Sequence, residues 1–208
     1  YNSLRDYDKA IEYLNPTLQI ELDSLSSNHT ELSGIYHNLA NAYHHTGKLK
    51  EALEINKKSL EIRLQVLPTN HPDIAAMSYN NISQVYDSLG IYEESIFYSN
   101  KLLQIQMNTL PSDHTDFART YNNLGLSYYN QGKLEEALVM HDKSLKIRLN
   151  GLQTNYPDIA KSYYKISLVH CKQGDNEKLI EYLNTTLEIE LHSLPANHPD
   201  LAKTYDNL

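Results

Sequence analysis

The sequence predicts an all-α solenoid built from pairs of antiparallel helices, and three observations carry that reading. Tyrosines recur with a fixed period: Tyr36, Tyr79, Tyr121, Tyr163 and Tyr205 lie 43, 42, 42 and 42 residues apart. Gly47, Gly90, Gly132 and Gly174 keep the same spacing. Around each Tyr, apolar residues fall at helical intervals, as in Phe117, Tyr121, Leu124 and Tyr128. A period of this size marks one supersecondary unit that buries its apolar face only by stacking on its neighbours.

Taken in order, the period divides the chain into a second-helix remnant (1–28), four complete repeats (29–70, 71–113, 114–155 and 156–197) and a first-helix remnant (198–208). In the leading remnant Pro16 lies inside the helix, where its missing N–H and its ring predict a kink costing roughly 3 kcal/mol. The third repeat shows the pattern in full. Phe117, Tyr121, Leu124 and Tyr128 stand at i, i+4, i+7 and i+11, the stripe of an amphipathic helix. Gly132 then supplies a residue that tolerates a left-handed backbone at the helix end. Leu134, Ala137, Leu138, Leu145 and Ile147 carry the returning helix to about Asn150. The second repeat holds one extra residue, in Ala75-Ala76-Met77-Ser78. One residue turns a helix by about 100°, so the surplus is expected at the helix start, outside the packed face. Ser95 and Leu179 stand where Ala10, Ala52 and Ala137 mark a close helix contact.

The connections between repeats are equally legible. Pro68, Pro72, Pro111, Pro157, Pro195 and Pro199 fall there, leaving Pro16 as the exception. In His71-Pro72-Asp73 and His198-Pro199-Asp200 the proline suits a first helical turn, where its missing N–H costs nothing. Glu31, Asp73, Asp116, Asp158 and Asp200 are read as caps facing the positive end of each helix dipole.

Composition narrows the function. A net charge of −8 argues against nucleic acid or an anionic membrane as the main partner. The single cysteine, Cys171, forms no internal disulfide and belongs to no metal-binding spacing. No apolar run approaches a membrane span and no signal peptide is visible. No cofactor motif, phosphate loop or nucleophile triad is present, so the chain does not read as an enzyme. His29, His71, His114 and His198 lie one period apart, too distant to share an ion. His37, His44 and His45 lack the i, i+4 spacing of a zinc helix. Sequons occur at Asn28, Asn81 and Asn184, no more than chance predicts for this composition. The compartment reading leans to the cytoplasm, with Asn28 and Asn184 open to glycans if a filament stood outside the cell.

The pattern resembles the tetratricopeptide repeat, in the 42-residue form found in kinesin light chains. Tyr121, Leu124, Gly125, Tyr128, Gly132 and Ala137 carry the resemblance in one repeat, and the stretch from Leu194 to Asp200 points to the subtype. The resemblance covers essentially the whole chain and implies a right-handed superhelix. The heptad segment that joins kinesin light chains to their heavy chain is not in this sequence. In proteins of this kind first-helix side chains line a concave groove, where asparagine binds the backbone of an extended peptide.

Asn38, Asn81, Asn123 and Asn207 sit two residues after successive tyrosines, with Lys165 breaking the series and Asn80 and Asn122 beside it. An amide offers donor and acceptor together, which suits main-chain recognition. The competing reading is a hydrogen-bonded Asn–Asn ladder between repeats. Arg119, Lys161, Lys165 and Lys172 fall on or beside the same face with Tyr164 adjacent, a basic segment that favours an acidic peptide. The tyrosine rows themselves, Tyr36 to Tyr205 and Tyr1, Tyr43, Tyr86 and Tyr128, read as helix packing.

Counted by repeat, Leu208 corresponds to Leu124 and Tyr1 to Tyr128, so both chain ends interrupt a helix. Tyr1, Tyr7, Leu201, Tyr205 and Leu208 are therefore expected on apolar stacking faces. Such faces mark either an excerpt of a longer array or a homo-polymer stacked head to tail, since a heterologous contact that does not close makes a filament.

Overall fold

The computed structural model describes residues 2–23, 29–66, 72–151 and 156–208. Among them stand ten α-helices and no strand. They are α1 (Asn2–Asp23), α2 (His29–His45), α3 (Leu49–Val66), α4 (Pro72–Ser88) and α5 (Tyr92–Thr109), then α6 (Thr115–Gln131), α7 (Leu134–Asn150), α8 (Tyr156–Gln173), α9 (Asn176–Ser193) and α10 (Pro199–Asn207). The chain forms two compact units, Tyr1–Thr109 and Leu110–Leu208.

Within the first unit α1 packs on α2, α2 pairs with α3, α3 packs on α4 and α4 pairs with α5. Ile11, Leu39 and Ala42 form one core, closed by Tyr7, Leu14, Leu18, Tyr43 and Ile55. In the second unit α6 pairs with α7, α7 packs on α8, α8 pairs with α9 and α9 carries α10. Its core joins Leu145, Ile159 and Ile166 with Leu138, Tyr163, Tyr182 and Ile189. The close contact inside a pair is made by small side chains: Ala52 and Ala137 are fully buried, and Ser95 substitutes for them.

The glycines behave as their spacing predicts. Gly47, Gly90, Gly132 and Gly174 all have φ between 74° and 84°, a region where a β-carbon is strained. At Gly132 the cap N–H bonds back to Tyr129 O at 3.1 Å, and Lys133 N–H reaches Tyr128 O at 2.9 Å. These are the two bonds of a Schellman cap. Lys48 to Tyr43, Ile91 to Tyr86 and Asp175 to His170 repeat the longer bond. The second tyrosine row thus stands at a fixed place before three of these turns, and His170 takes that place before the fourth.

Pro16 stands inside α1, which runs from Asn2 to Asp23. Two expectations are modified. The caps of α6 and α10 are histidines rather than the neighbouring acids. His114 Nδ1 accepts the N–H of Asp116, and His198 Nδ1 that of Asp200, each at 3.2 Å. The acids occupy the first turn, where a carboxylate oxygen of each lies 3.6 and 3.7 Å from the same ring nitrogen. An N-cap acceptor must face backbone donors two residues on, and here the ring nitrogen is the atom in reach. His71 and Tyr1 lie outside the described residues. Leu201 is a core residue, 4% exposed, rather than part of a stacking face, and Tyr7 belongs to the first core and stacks on His45. Tyr205 and Leu208 are exposed.

A row of polar residues, buried at Arg63 and Glu190 and half-buried at Arg148, ties helix pairs together at one register, eleven residues beyond the small-contact position. Arg63 donates to Ser33 at 2.8 Å and to Ser78 at 3.1 Å. Arg148 donates to Ser162 and to the carbonyl of Asp158, both at 2.6 Å. At the matching place in α9 the residue is Glu190, which accepts the hydroxyl proton of Thr204 at 2.8 Å. Buried bonds to charged groups contribute about 1.5–3 kcal/mol each, so this row is a main determinant of repeat-to-repeat register.

Candidate groove pocket of the second unit

In the second unit α6, α8 and α10 lie one repeat apart, so residues 42 apart on them come to the same side of neighbouring helices. Between them opens a pocket of about 340 Å³. Leu126 and Tyr129 of α6 and Tyr164 and Leu168 of α8 supply apolar and aromatic wall. Lys161 and Lys165 of α8 and Lys203 of α10 supply positive charge, and Asp200 and Thr204 complete the α10 side. From the second helices His141 of α7 and Glu190 of α9 form part of the lining.

The walls are fixed by contacts between repeats. Lys203 Nζ sits 4.5 Å from the ring centre of Tyr164, and Asn207 donates to the Tyr164 hydroxyl at 3.3 Å. Lys172 lies over Tyr129 at 4.5 Å and donates to its carbonyl at 3.0 Å. Cation–π contacts of this kind contribute roughly 0.5–1 kcal/mol when exposed.

His141 is 2% exposed, and its Nδ1 has no hydrogen-bond partner. It fits because Gly125 faces it: a β-carbon there would stand 2.6 Å from the ring. Burial, reinforced by Lys165 and Arg148, lowers its pKa from 6.5 to about 3, so the ring is neutral at physiological pH. Glu190 is 3% exposed. Burial raises its pKa above the ordinary carboxylate value, and Asp200 adds to this, while the Thr204 bond, His198 and Lys203 oppose it.

Of the residues singled out from the sequence, Lys161, Tyr164 and Lys165 meet in this pocket. Arg119 instead pairs with Asp116 at 3.4 Å, and Lys172 is engaged with Tyr129. Asn122 donates to Asn123 at 3.5 Å. In the first unit Asn81 contacts His37 Nδ1 at 2.9 Å, and Asn41 contacts the other ring nitrogen at 3.1 Å. A neutral imidazole offers one donor and one acceptor, so one amide donates and the other accepts. Asn38 is exposed, and Asn80 Oδ1 is buried without a partner. Two members of the asparagine row, Asn81 and Asn207, therefore bond between repeats, to His37 and Tyr164 of the preceding repeat and not to another asparagine of the row. Lys203, His141 and Glu190 were not singled out from the sequence. Lys203 carried a signal, standing 42 residues after Lys161 and 84 after Arg119.

Among the described residues no group of three or more His, Cys, Asp or Glu could hold a metal ion, and no helix is long and apolar enough to cross a membrane.

The tetratricopeptide repeat family profile matches residues 1–65, 31–108, 73–150 and 116–189. Similar solved structures include BtubC (BKLC) from P. vanneervenii, with a TM-score of 0.78 and 24% identity over 93% of this chain and 77% of that one. A putative kinesin light chain with nearly identical TPR-like repeats from Podosopora anserina has a TM-score of 0.78 and 23% identity, covering 91% and 89%. YrrB, described as a TPR protein with an unusual peptide-binding site, has a TM-score of 0.60 and 17% identity, covering 100% and 87%. No curated protein matches the chain in sequence.

Proposed function

Since this chain belongs to the tetratricopeptide repeat family, we propose that it is a non-enzymatic scaffold that binds a peptide segment of a partner protein along its first helices. In the second unit the segment is acidic. The observation that carries this reading is the convergence of Lys161, Lys165 and Lys203 on one pocket in a chain of net charge −8. Local positive charge on an acidic protein selects its partner by sign and sets the encounter rate. The aromatic walls and the peptide-binding site described for YrrB support the same reading.

The test is fluorescence anisotropy of labelled acidic peptides against the full chain. Lys161→Glu with Lys203→Glu should weaken binding at least tenfold, about 1.4 kcal/mol, and added salt should weaken the native complex. Unchanged affinity in the double reversal would end the reading.

A further inference from the structure

Glu190 reverses a hydrogen-bond polarity. Eleven residues beyond the small-contact position α3 carries Arg63, α5 Gln106 and α7 Arg148, and the two arginines each donate to a serine of the next helix. In α9 the same place holds a carboxylate, and Thr204 becomes the donor. The reversal matters because Glu190 also lines the pocket that holds Lys161, Lys165 and Lys203.

We propose that Glu190 is the selectivity residue of this pocket: a resident carboxylate that competes with an acidic ligand for the three lysines, so that the ligand enters with uptake of one proton by Glu190. This rests on the acidic-segment reading above and states how that segment is admitted.

The electrostatics follow from who faces whom. Lys203, Asp200 and His198, from α10 and its cap, act on Glu190 directly; Lys161 and Lys165 of α8 and His141 of α7 line the same pocket. Three lysines and two carboxylates thus share one lining. Asp200 is only half-buried, so solvent reaches its carboxylate. Glu190 is 3% exposed and has one neutral hydroxyl as its bonded partner at 2.8 Å. A second carboxylate brought beside it creates the situation in which two acids sharing a site cannot both ionise. Glu190 is the one that yields, because its charge is already disfavoured by burial. The proton comes from solvent and resides on the Glu190 carboxyl; the ligand carboxylate stays charged and takes over the lysines. His141 does not compete for that proton, since its ring resists protonation until about 3.

The experiment is isothermal titration calorimetry of the full chain with a short capped polyglutamate peptide, between about pH 6 and pH 8, in buffers of different ionisation enthalpy. The native protein should bind more weakly as pH rises and take up a proton on binding, approaching a tenfold change per unit where uptake is complete. Glu190→Gln keeps an oxygen acceptor for Thr204, and should bind roughly fivefold or more tightly at the upper pH, with no buffer-dependent proton uptake. Equal affinity and equal proton uptake in the two proteins would overturn the proposal. Independently of any variant, carbon-detected titration of the Glu190 carboxyl in the native chain should move upward when the peptide is added, and an unmoved midpoint would overturn it too. Binding without proton linkage sinks this inference alone. Silence of both proteins at every pH ends the groove reading and this one together.

Discussion

Gly125 of α6 lies directly against the imidazole of His141 of α7, so close that a β-carbon on Gly125 would stand 2.6 Å from ring Cε1 and 2.7 Å from Nδ1. The two positions are complementary in other repeats as well. Ala40 and Asn56, Ser83 and Ser99, and Ser167 and Leu183 occupy the same registers and are buried. Only in the third repeat is the smallest residue set against a ring.

Gly125→Ala is therefore expected to destabilise the second unit although alanine is the better helix former. The propensity gain is about 1 kcal/mol, while overpacking a core typically costs 1–3 kcal/mol. The ring is not a flexible tip that can swing aside, so the larger cost should prevail. Thermal melts of Gly125→Ala, His141→Ala and the double variant check this. A double variant less damaged than the sum of the singles is expected, and simple additivity would place the cost elsewhere.

The architecture was largely legible because the period is set by turn chemistry. Only glycine adopts φ near +80° without strain, so Gly47, Gly90, Gly132 and Gly174 could be read as helix ends. The stripe of Phe117 and Leu124 is buried as its spacing requires. Lys161, Tyr164 and Lys165 were legible as one face because they share a helix turn. His141 and Glu190 were not, since their registers read Asn56, Ser99, His141, Leu183 and Arg63, Gln106, Arg148, Glu190, with no common chemistry to detect. The histidine caps were hidden for a different reason. A ring nitrogen is an uncommon cap, and the neighbouring acids offered a sufficient dipole argument.

His141 should impose an acid limb on stability. Its folded pKa, about 3, lies below the ordinary value of 6.5, so between those values the unfolded chain binds the extra proton. Stability is then fully present above about 6.5 and is lost as pH falls towards 3, by several kcal/mol over the whole range. His141→Leu, which places in this register the residue found at Leu183, removes the group. The variant should be at least as stable as the native chain near neutrality, because the buried Nδ1 is without a partner there. Denaturant titrations at several pH values should show the difference widening as pH falls; a constant difference would mean that the ring is not the titrating group.

Asn81 and Asn38 share one register yet have different roles. Asn81 reaches back to His37 at 2.9 Å, a bond between neighbouring repeats, while Asn38 is exposed. Removing one partner of a half-buried bond leaves the other unsatisfied, at about 1 kcal/mol or more. Asn81→Ala should therefore lower the melting temperature of the first unit, and any loss of peptide binding that accompanies it would report the altered repeat junction. Asn38→Ala should leave stability within about 0.5 kcal/mol of the native chain, as exposed substitutions do. That makes Asn38 the cleaner probe of main-chain recognition. If peptide affinity falls in Asn38→Ala while the melt is unchanged, the amide contacts ligand directly. If both are unchanged, the asparagine row serves the stack and the lysine pocket alone carries recognition.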